Sequence, residues 1–141
     1  MSTRIDAVVV DTNVFSAALK DSSSELIELY GPDLGGKKLV ISFQTAAEMR
    51  YGAARDNLGP RRRAALERRL RMAVTVPPSD APVREWANLR NECHKRGHAF
   101  HQKVHVADLW IAATARLIDA PLVAHDKAFR GLPGLDVICR V

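Results

Sequence analysis

The most constraining feature of this sequence is a short run of β-branched residues that ends in an acid. Ala7 to Val10 read Ala-Val-Val-Val, and Asp11 follows them directly. A run without polar alternation is typical of a strand buried on both faces, as in a parallel sheet covered by helices. We therefore predict a buried first strand that delivers a carboxylate to one edge of a sheet, where open α/β folds bind ligands.

The rest of the chain alternates strand-like and helix-like segments. Further strands are predicted at Leu39 to Ser42, Val74 to Val76, Leu122 to Ala124 and Val137 to Cys139. Helices are predicted at Val14 to Leu19, from a cap at Ser22, Ser23 or Ser24 through Leu29, at Thr45 to Arg55, Arg61 to Ala73, from a cap at Asp80 to Arg96, and at His105 to Ile118. The loops include one at Gly31, Pro32, Gly35 and Gly36. This alternation predicts a single domain over residues 1–141, an α/β sandwich around a mostly parallel central sheet.

Composition narrows the class of protein further. No stretch approaches the ~18 apolar residues of a membrane helix, and no signal-peptide core is apparent, so we expect a cytoplasmic protein without a membrane partner. The net charge of +5 favours a polyanionic partner such as nucleic acid. Cys93 and Cys139 belong to no CxxC motif, and we expect them to be free thiols rather than a disulfide or a metal pair.

Two acids follow predicted strands and therefore point to the same edge of the sheet. Asp11 follows the first strand, and Asp126 comes soon after Leu122 to Ala124. Each residue has a structural alternative, because Asp is also a good helix N-cap and a common turn residue. Glu48 follows the second strand among small residues, where an ordinary exposed helix position is the alternative.

Asp108 is the least ordinary of the acids. It shares one helical face with Val104, Ile111, Ala112 and Ala115, by i, i+3 and i+4 spacing. Burying a lone carboxylate on an apolar face costs several kcal/mol unless a partner or a metal compensates for it. Four acids crowded at one edge would repel each other without cations, and oxygen ligands favour Mg²⁺ or Mn²⁺ over zinc. Such a site can activate water against a phosphodiester.

The residues around these acids resemble the motifs of PIN domains. The run Val-Val-Val-Asp-Thr-Asn-Val around Asp11 resembles the first motif, and Ala-Ala-Glu-Met around Glu48 resembles the second. Ala-Asp-Leu-Trp-Ile-Ala-Ala-Thr-Ala around Asp108 is the most specific match, and Leu-Val-Ala-His-Asp-Lys-Ala-Phe around Asp126 resembles the fourth motif. The matches occur in family order and span nearly the whole chain, although Ala124 and Ala128 stand where the family often has polar residues.

Size and layout are similar to the VapC toxins of type II toxin–antitoxin systems. This resemblance implies a PIN-like α/β/α sandwich and an endoribonuclease that hydrolyses RNA through metal-activated water, with Mg²⁺ or Mn²⁺ as cofactor. It also implies a VapB-type antitoxin as partner and a homodimer. Carried over to this sequence, the metal-site acids would be Asp11, Glu48, Asp108 and Asp126, with Thr12 and Asn13 orienting Asp11 or water.

Other function classes fit the sequence less well. A haloacid dehalogenase phosphatase needs a second Asp where Asn13 stands, a response-regulator receiver needs an acidic pair where only Asp6 is present, and neither explains the Asp108 motif. Phosphate-binding GxxxxGK[ST] and GxGxxG loops are absent from the sequence. The remaining alternative is a catalytically inactive PIN fold that binds RNA or a protein.

Two groups of basic residues have no settled role in this interpretation. The arginines of the Arg61 to Arg71 segment would contact RNA or an antitoxin, or simply form a solvated helix face. The histidines His94, His98, His101 and His105 suggest zinc, contacts to RNA or plain surface positions. Trp86 and Trp110 are expected to pack in the core or at a dimer interface, with base stacking as the alternative.

Overall fold

The chain folds around one five-stranded sheet in which every strand pair is parallel. We analysed a computed structural model that describes residues 6–19 and 24–141. The strands are β1 (Ala7–Val10), β2 (Lys38–Ser42), β3 (Val74–Val76), β4 (Leu122–Val123) and β5 (Val137–Ile138), in the spatial order β3-β2-β1-β4-β5. The prediction of a mostly parallel sheet is confirmed, and β1 lies at its centre.

Six α-helices and three 3₁₀ turns connect the strands. The helices are α1 (Thr12–Ala18), α2 (Glu25–Leu34), α3 (Phe43–Arg55), α4 (Pro60–Met72), α5 (Asp80–Arg96) and α6 (Val106–Ile118). The 3₁₀ turns cover Ala99–His101, Lys103–His105 and Lys127–Phe129. Every predicted helix has a counterpart, with ends shifted by a few residues at most, apart from the extension of α2.

The residues of β1 alternate between two hydrophobic cores, one on each face of the sheet. Val9 packs on one face with Leu89 of α5 and Leu109 of α6. Val8 and Val10 pack on the other face, in a core that includes residues of α1, α2 and α4. All three valines are fully buried. The fold is therefore the predicted three-layer α/β/α sandwich, and the uninterrupted valine run follows from burial on both faces.

Three local predictions were wrong. The predicted loop at Gly31 and Pro32 lies inside α2, which buries Tyr30 and tolerates Pro32 because a proline in the last turn removes only one helical hydrogen bond. Ser79, not Asp80, occupies the N-cap position of α5, without a side-chain hydrogen bond to the helix, and Asp80 is the first helical residue. Val104 precedes α6 and is exposed, so it does not share the buried face of that helix.

The predicted serine cap of α2 and the two predicted free thiols are present in the structure. The side chain of Ser24 accepts a hydrogen bond from the Ile27 N–H and caps α2, while Ser22 and Ser23 lie outside the described residues. Cys93 and Cys139 are both free, and Cys93 is buried, as predicted. Within residues 6–19 and 24–141, no helix has the length and apolar character needed to cross a membrane.

Candidate active site

Asp11 lies at the carboxyl end of the central strand and is only 4% exposed. Its Oδ1 accepts a hydrogen bond of 2.8 Å from the Val14 N–H, which caps α1, and its Oδ2 accepts one of 3.2 Å from the His125 N–H. Burial raises the pKa of Asp11, and these two hydrogen bonds oppose that rise only in part. Asp11 is therefore a helix cap, as its structural alternative required, and at the same time a buried carboxylate at the sheet edge.

His125 is fixed by a buried tyrosine that the sequence did not single out. Tyr30 of α2 is fully buried, and its hydroxyl lies 2.9 Å from Nδ1 of His125. The same hydroxyl accepts a hydrogen bond of 2.8 Å from the Arg140 N–H. Because the His125 N–H binds Asp11, this network connects α2 and the end of the chain to the carboxylate at the end of β1.

Glu48 reaches the same edge from the second turn of α3. Its Oε1 accepts a hydrogen bond of 3.0 Å from Gln44, one helical turn earlier, and its Oε2 accepts one from the Thr12 hydroxyl. The hydroxyl of Thr12 thus orients Glu48, and the role of Thr12 and Asn13 in orienting Asp11 or water stays a prediction. Asn13 is exposed and lines a cavity together with His125. The sequence alone does not single out Gln44 as a partner of Glu48, because a glutamine one helical turn before a glutamate is common on any helix.

Asp108 occupies the first turn of α6 and is the most perturbed acid. Desolvation raises its pKa to about 6, and the negative charges of Glu48, Asp126 and Asp11 contribute to that rise. Nearby His105 opposes it. A carboxyl group with a pKa this high is poorly compensated by its surroundings, as expected where a cation is meant to complete the site.

Asp126 is the most exposed of the four acids. Its Oδ1 accepts a hydrogen bond of 2.9 Å from the Ala128 N–H, so it caps the 3₁₀ turn Lys127–Phe129. The turn-forming alternative therefore describes its local role. Asp126 directly follows His125, whose N–H binds Asp11, so it lies at the same edge of the sheet. Its charge contributes to the raised pKa values of Asp11 and Asp108.

The four predicted acids therefore meet at one edge of the sheet, and we call them the carboxylate cluster. They come from the end of β1, from α3, from α6 and from the turn after β4. None of the ion pairs between residues that the structure describes involves the cluster. Over those same residues, no group of three or more His, Cys, Asp or Glu side chains lies in an arrangement that could hold a metal ion without some movement of the side chains. The donors are all carboxylate oxygens, which fits a hard divalent cation bound directly or through water.

The two basic groups have different environments. On α4, Arg61, Arg62, Arg63, Arg68 and Arg71 are exposed, while Arg69 is half-buried and binds the Leu19 carbonyl. The four histidines do not form one stripe, because α5 ends at Arg96 and Gly97 reverses the chain in a left-handed conformation. Instead, the rings of His94 and His101 meet edge to face at 5.3 Å, and His98 binds the Arg130 carbonyl.

Comparison with known proteins gives the family. Residues 8–135 match the PIN domain family. The chain is 36% identical over 137 residues to Ribonuclease VapC5 of Mycobacterium tuberculosis (strain ATCC 25618 / H37Rv), which covers 95% of this chain and 93% of the relative. PIN-domain ribonucleases of the VapC type are in general dependent on divalent metals.

Solved structures agree with this assignment. The VapBC-5 structure from Mycobacterium tuberculosis is 31% identical, covers 96% of this chain and 98% of that chain, and has a TM-score of 0.62. VapBC2 from Rickettsia felis, bound to a promoter DNA fragment, has a TM-score of 0.74 at 20% identity, covering 94% and 98% of the two chains. At that identity the second likeness shows the fold alone. The chain therefore belongs to the PIN-domain family and, within it, to the VapC ribonucleases.

Proposed function

We propose that the protein is an endoribonuclease toxin in which Asp11, Glu48, Asp108 and Asp126 hold one or two Mg²⁺ or Mn²⁺ ions, directly or through water. The observation that carries this proposal is the placement of four acids from four elements at one edge of the sheet, and the raised pKa of Asp108, about 6, agrees with it. Carboxylates that come from four elements, and that pair with no Lys or Arg side chain of residues 6–19 and 24–141, form a site that gains most from a divalent ion. The proposal takes residues 1–141 as a single PIN domain.

The side chains around the cluster orient its oxygens. The Val14 and His125 N–H groups fix both oxygens of Asp11, and Gln44 and Thr12 fix both oxygens of Glu48. When bound, a divalent cation supplies Lewis acidity to the phosphodiester and lowers the pKa of water. The reaction itself is hydrolysis, in which water attacks phosphorus in line with the leaving oxygen and no protein nucleophile takes part.

RNA is the substrate in this proposal, and a VapB-type antitoxin is the inhibitory partner. Two observations support them: the curated relative is named a ribonuclease, and the neighbour at 31% identity is described as a member of the VapBC family of toxin–antitoxin systems. The net charge of +5 and the exposed arginines of α4 are suited to a polyanion. A homodimer belongs to the same proposal, and light scattering of the purified chain tests it.

The decisive experiment is cleavage of total cellular RNA by the purified chain with Mg²⁺, with Mn²⁺ or with EDTA. We expect discrete products with either metal and none with EDTA. The variant Asp108→Asn removes one charge of the cluster and is expected to be inactive. The matched control is Asp56→Asn, which removes an exposed carboxylate paired with Arg55 on another surface and should cleave normally.

Two outcomes would contradict the proposal. Cleavage that survives both EDTA and Asp108→Asn would exclude the carboxylate mechanism. No cleavage of any RNA by folded, antitoxin-free protein would favour the alternative of an inactive PIN fold that only binds RNA or a protein.

A further inference from the structure

A second cavity lies beside α5 and shares no lining residue with the carboxylate cluster. Its volume is about 370 Å³, within the range of roughly 300–1,000 Å³ that is common for small-ligand pockets. Side chains that can bear positive charge and polar or aromatic side chains line it, and no acid of the described chain does. The lining residues are Trp86, Ala87, Arg90, Asn91, His94 and His101.

Arg90 is held in place from two sides. Its Nε donates a hydrogen bond of 3.1 Å to the His101 carbonyl, and its guanidinium lies 5.3 Å from the centre of the Trp86 ring. Trp86 is in turn stacked on Trp110 at 5.1 Å, and Trp110 packs against Phe43 at the same distance. A guanidinium fixed in this way loses little conformational entropy when a flat ligand stacks on it.

The reversal of the chain at Gly97 completes the cavity. It brings His101 back against His94, with 5.3 Å between the ring centres. Imidazole nitrogens donate to phosphate or to base edges, and the amide of Asn91 offers both donors and an acceptor. The guanidinium of Arg90 opposes a metal cation here, so the lining favours an anionic, planar ligand over zinc.

The cavity is connected to the carboxylate cluster through rigid elements. The indole N–H of Trp86 donates a hydrogen bond of 3.4 Å to the carbonyl of Val106, two residues before Asp108. Trp110 follows Asp108 by two residues, and Phe43 begins the helix that carries Glu48. The elements that carry two of the four acids therefore also support the wall of this cavity.

We propose that this cavity binds a nucleotide of single-stranded RNA that flanks the cleaved phosphodiester. The base stacks on the Arg90 guanidinium, and His94, His101 and Asn91 contact the phosphate and the base edge. This inference rests on the proposed function for the identity of the polymer. It assigns to α5 a part in substrate binding that the carboxylate cluster alone does not provide.

The first test measures binding of a single-stranded octaribonucleotide in EDTA, where cleavage is prevented. Trp86 and Trp110 are the only tryptophans and belong to one stack, so their fluorescence reports the cavity directly. We expect Arg90→Gln to weaken binding roughly five- to tenfold, in keeping with the loss of one stacking contact. The exposed His94→Ala, which should leave the fold intact, is expected to weaken it by about threefold.

Matched controls separate this site from general attraction to positive charge. Arg96→Gln removes the same charge from the same helix outside the cavity, and it should weaken binding less than about twofold. An octamer of the same length without bases should bind the wild type at least about fivefold more weakly. Equal losses in Arg90→Gln and Arg96→Gln, or undiminished binding of the abasic octamer, would overturn the proposal.

Cleavage kinetics distinguish failure of this inference from failure of the proposed function. With Mg²⁺, Arg90→Gln should raise KM for a long RNA by about five- to tenfold and leave kcat unchanged, because it removes binding without touching the reacting atoms. A wild type that cleaves, with an unchanged KM in Arg90→Gln, would refute the cavity and leave the nuclease standing. A wild type that never cleaves refutes the nuclease, while the binding data still decide the cavity.

Discussion

Two regions of the molecule each contain several partly buried charges, and they differ in how these charges are compensated. Between α5 and α6, Arg116 binds Glu85 at 2.5 Å and also binds Glu92, and we call these three residues the ion cluster. In the carboxylate cluster, four acids meet and the pKa of Asp108 rises to about 6. In the ion cluster the positive charge of Arg116 compensates the two glutamates, so these acids do not depend on a cation from solution.

This difference separates charges that serve the fold from charges that serve a ligand. The ion cluster also stabilises the segment that precedes β5, because Arg116 donates a hydrogen bond to the Pro133 carbonyl. The carboxylate cluster leaves its repulsion in place and therefore destabilises the metal-free protein. Under the proposed function, a bound divalent cation would neutralise this repulsion and restore the lost stability.

The largest expected effect comes from Asp11→Asn. Asn keeps the size of the side chain and can still cap α1 through its oxygen, but its amide nitrogen cannot accept the His125 N–H, so the variant should fold with reduced stability and without one buried charge of the carboxylate cluster. We expect cleavage to fall at least about a hundredfold, since metal catalysis contributes several kcal/mol. Cleavage rates, with circular dichroism to verify folding, measure this effect. A folded variant with near-normal activity would remove Asp11 from the site.

Breaking the ion cluster should affect stability and not metal binding. Arg116→Met leaves Glu85 and Glu92 without their partner, and we expect the free energy of unfolding to fall by about 2 kcal/mol. Urea denaturation measures this loss. The control is Arg50→Met, which breaks the exposed pair with Glu67 and should cost less than about 1 kcal/mol. Equal losses in the two variants would show that the ion cluster has no special role.

The opposite sign is expected for Asp108→Asn in metal-free protein. The folded pKa of Asp108 lies above its unfolded value, so the carboxyl group favours the fold when protonated, and this contribution disappears as the pH rises from about 4 to about 6. At pH 7.5 the variant should therefore be more stable by about 1–2 kcal/mol, after allowance for partial exposure. Urea denaturation in EDTA at pH 4 and pH 7.5 tests this, and the gain should vanish at the lower pH.

The smallest effect is expected for Asp126→Asn. Its carboxylate is exposed, and Asn can also accept the hydrogen bond from the Ala128 N–H. We expect a change in unfolding free energy of less than about 0.5 kcal/mol. Its loss of cleavage should be smaller than that of Asp11→Asn. An equal loss in the two variants would identify Asp126 as a direct metal ligand despite its exposure.

The sequence predicted the regions where local pattern and tertiary role agree. The uninterrupted valine run before Asp11 and the helical spacing of apolar residues around Asp108 are strong local signals, and both elements form as expected. The extension of α2 through Pro32 was missed, because burial of Tyr30 outweighs the local preference of Gly31 and Pro32 for a loop.

Contacts between residues far apart in the sequence could not be predicted from local patterns. The contact between Tyr30 and His125 joins residues 95 positions apart, and no local pattern marks it. The same holds for Arg116 with Glu92 and for the stack of Trp86 on Trp110. Asp11 and Asp126 could be singled out from the strand ends and Asp108 from its apolar helical face, whereas the groups that orient the acids depend on long-range packing.

The position of β1 has a consequence for the order of events during synthesis. Asp11 is translated long before its partners, because the Asp11 N–H pairs with the Val123 carbonyl and its Oδ2 accepts the N–H of His125. The ribosome must therefore add more than a hundred residues before the first carboxylate acquires its final surroundings. A growing chain that lacks β4 has neither the pairing between β1 and β4 nor Asp126. The four acids of the carboxylate cluster can therefore come together only after the chain has been extended past Asp126.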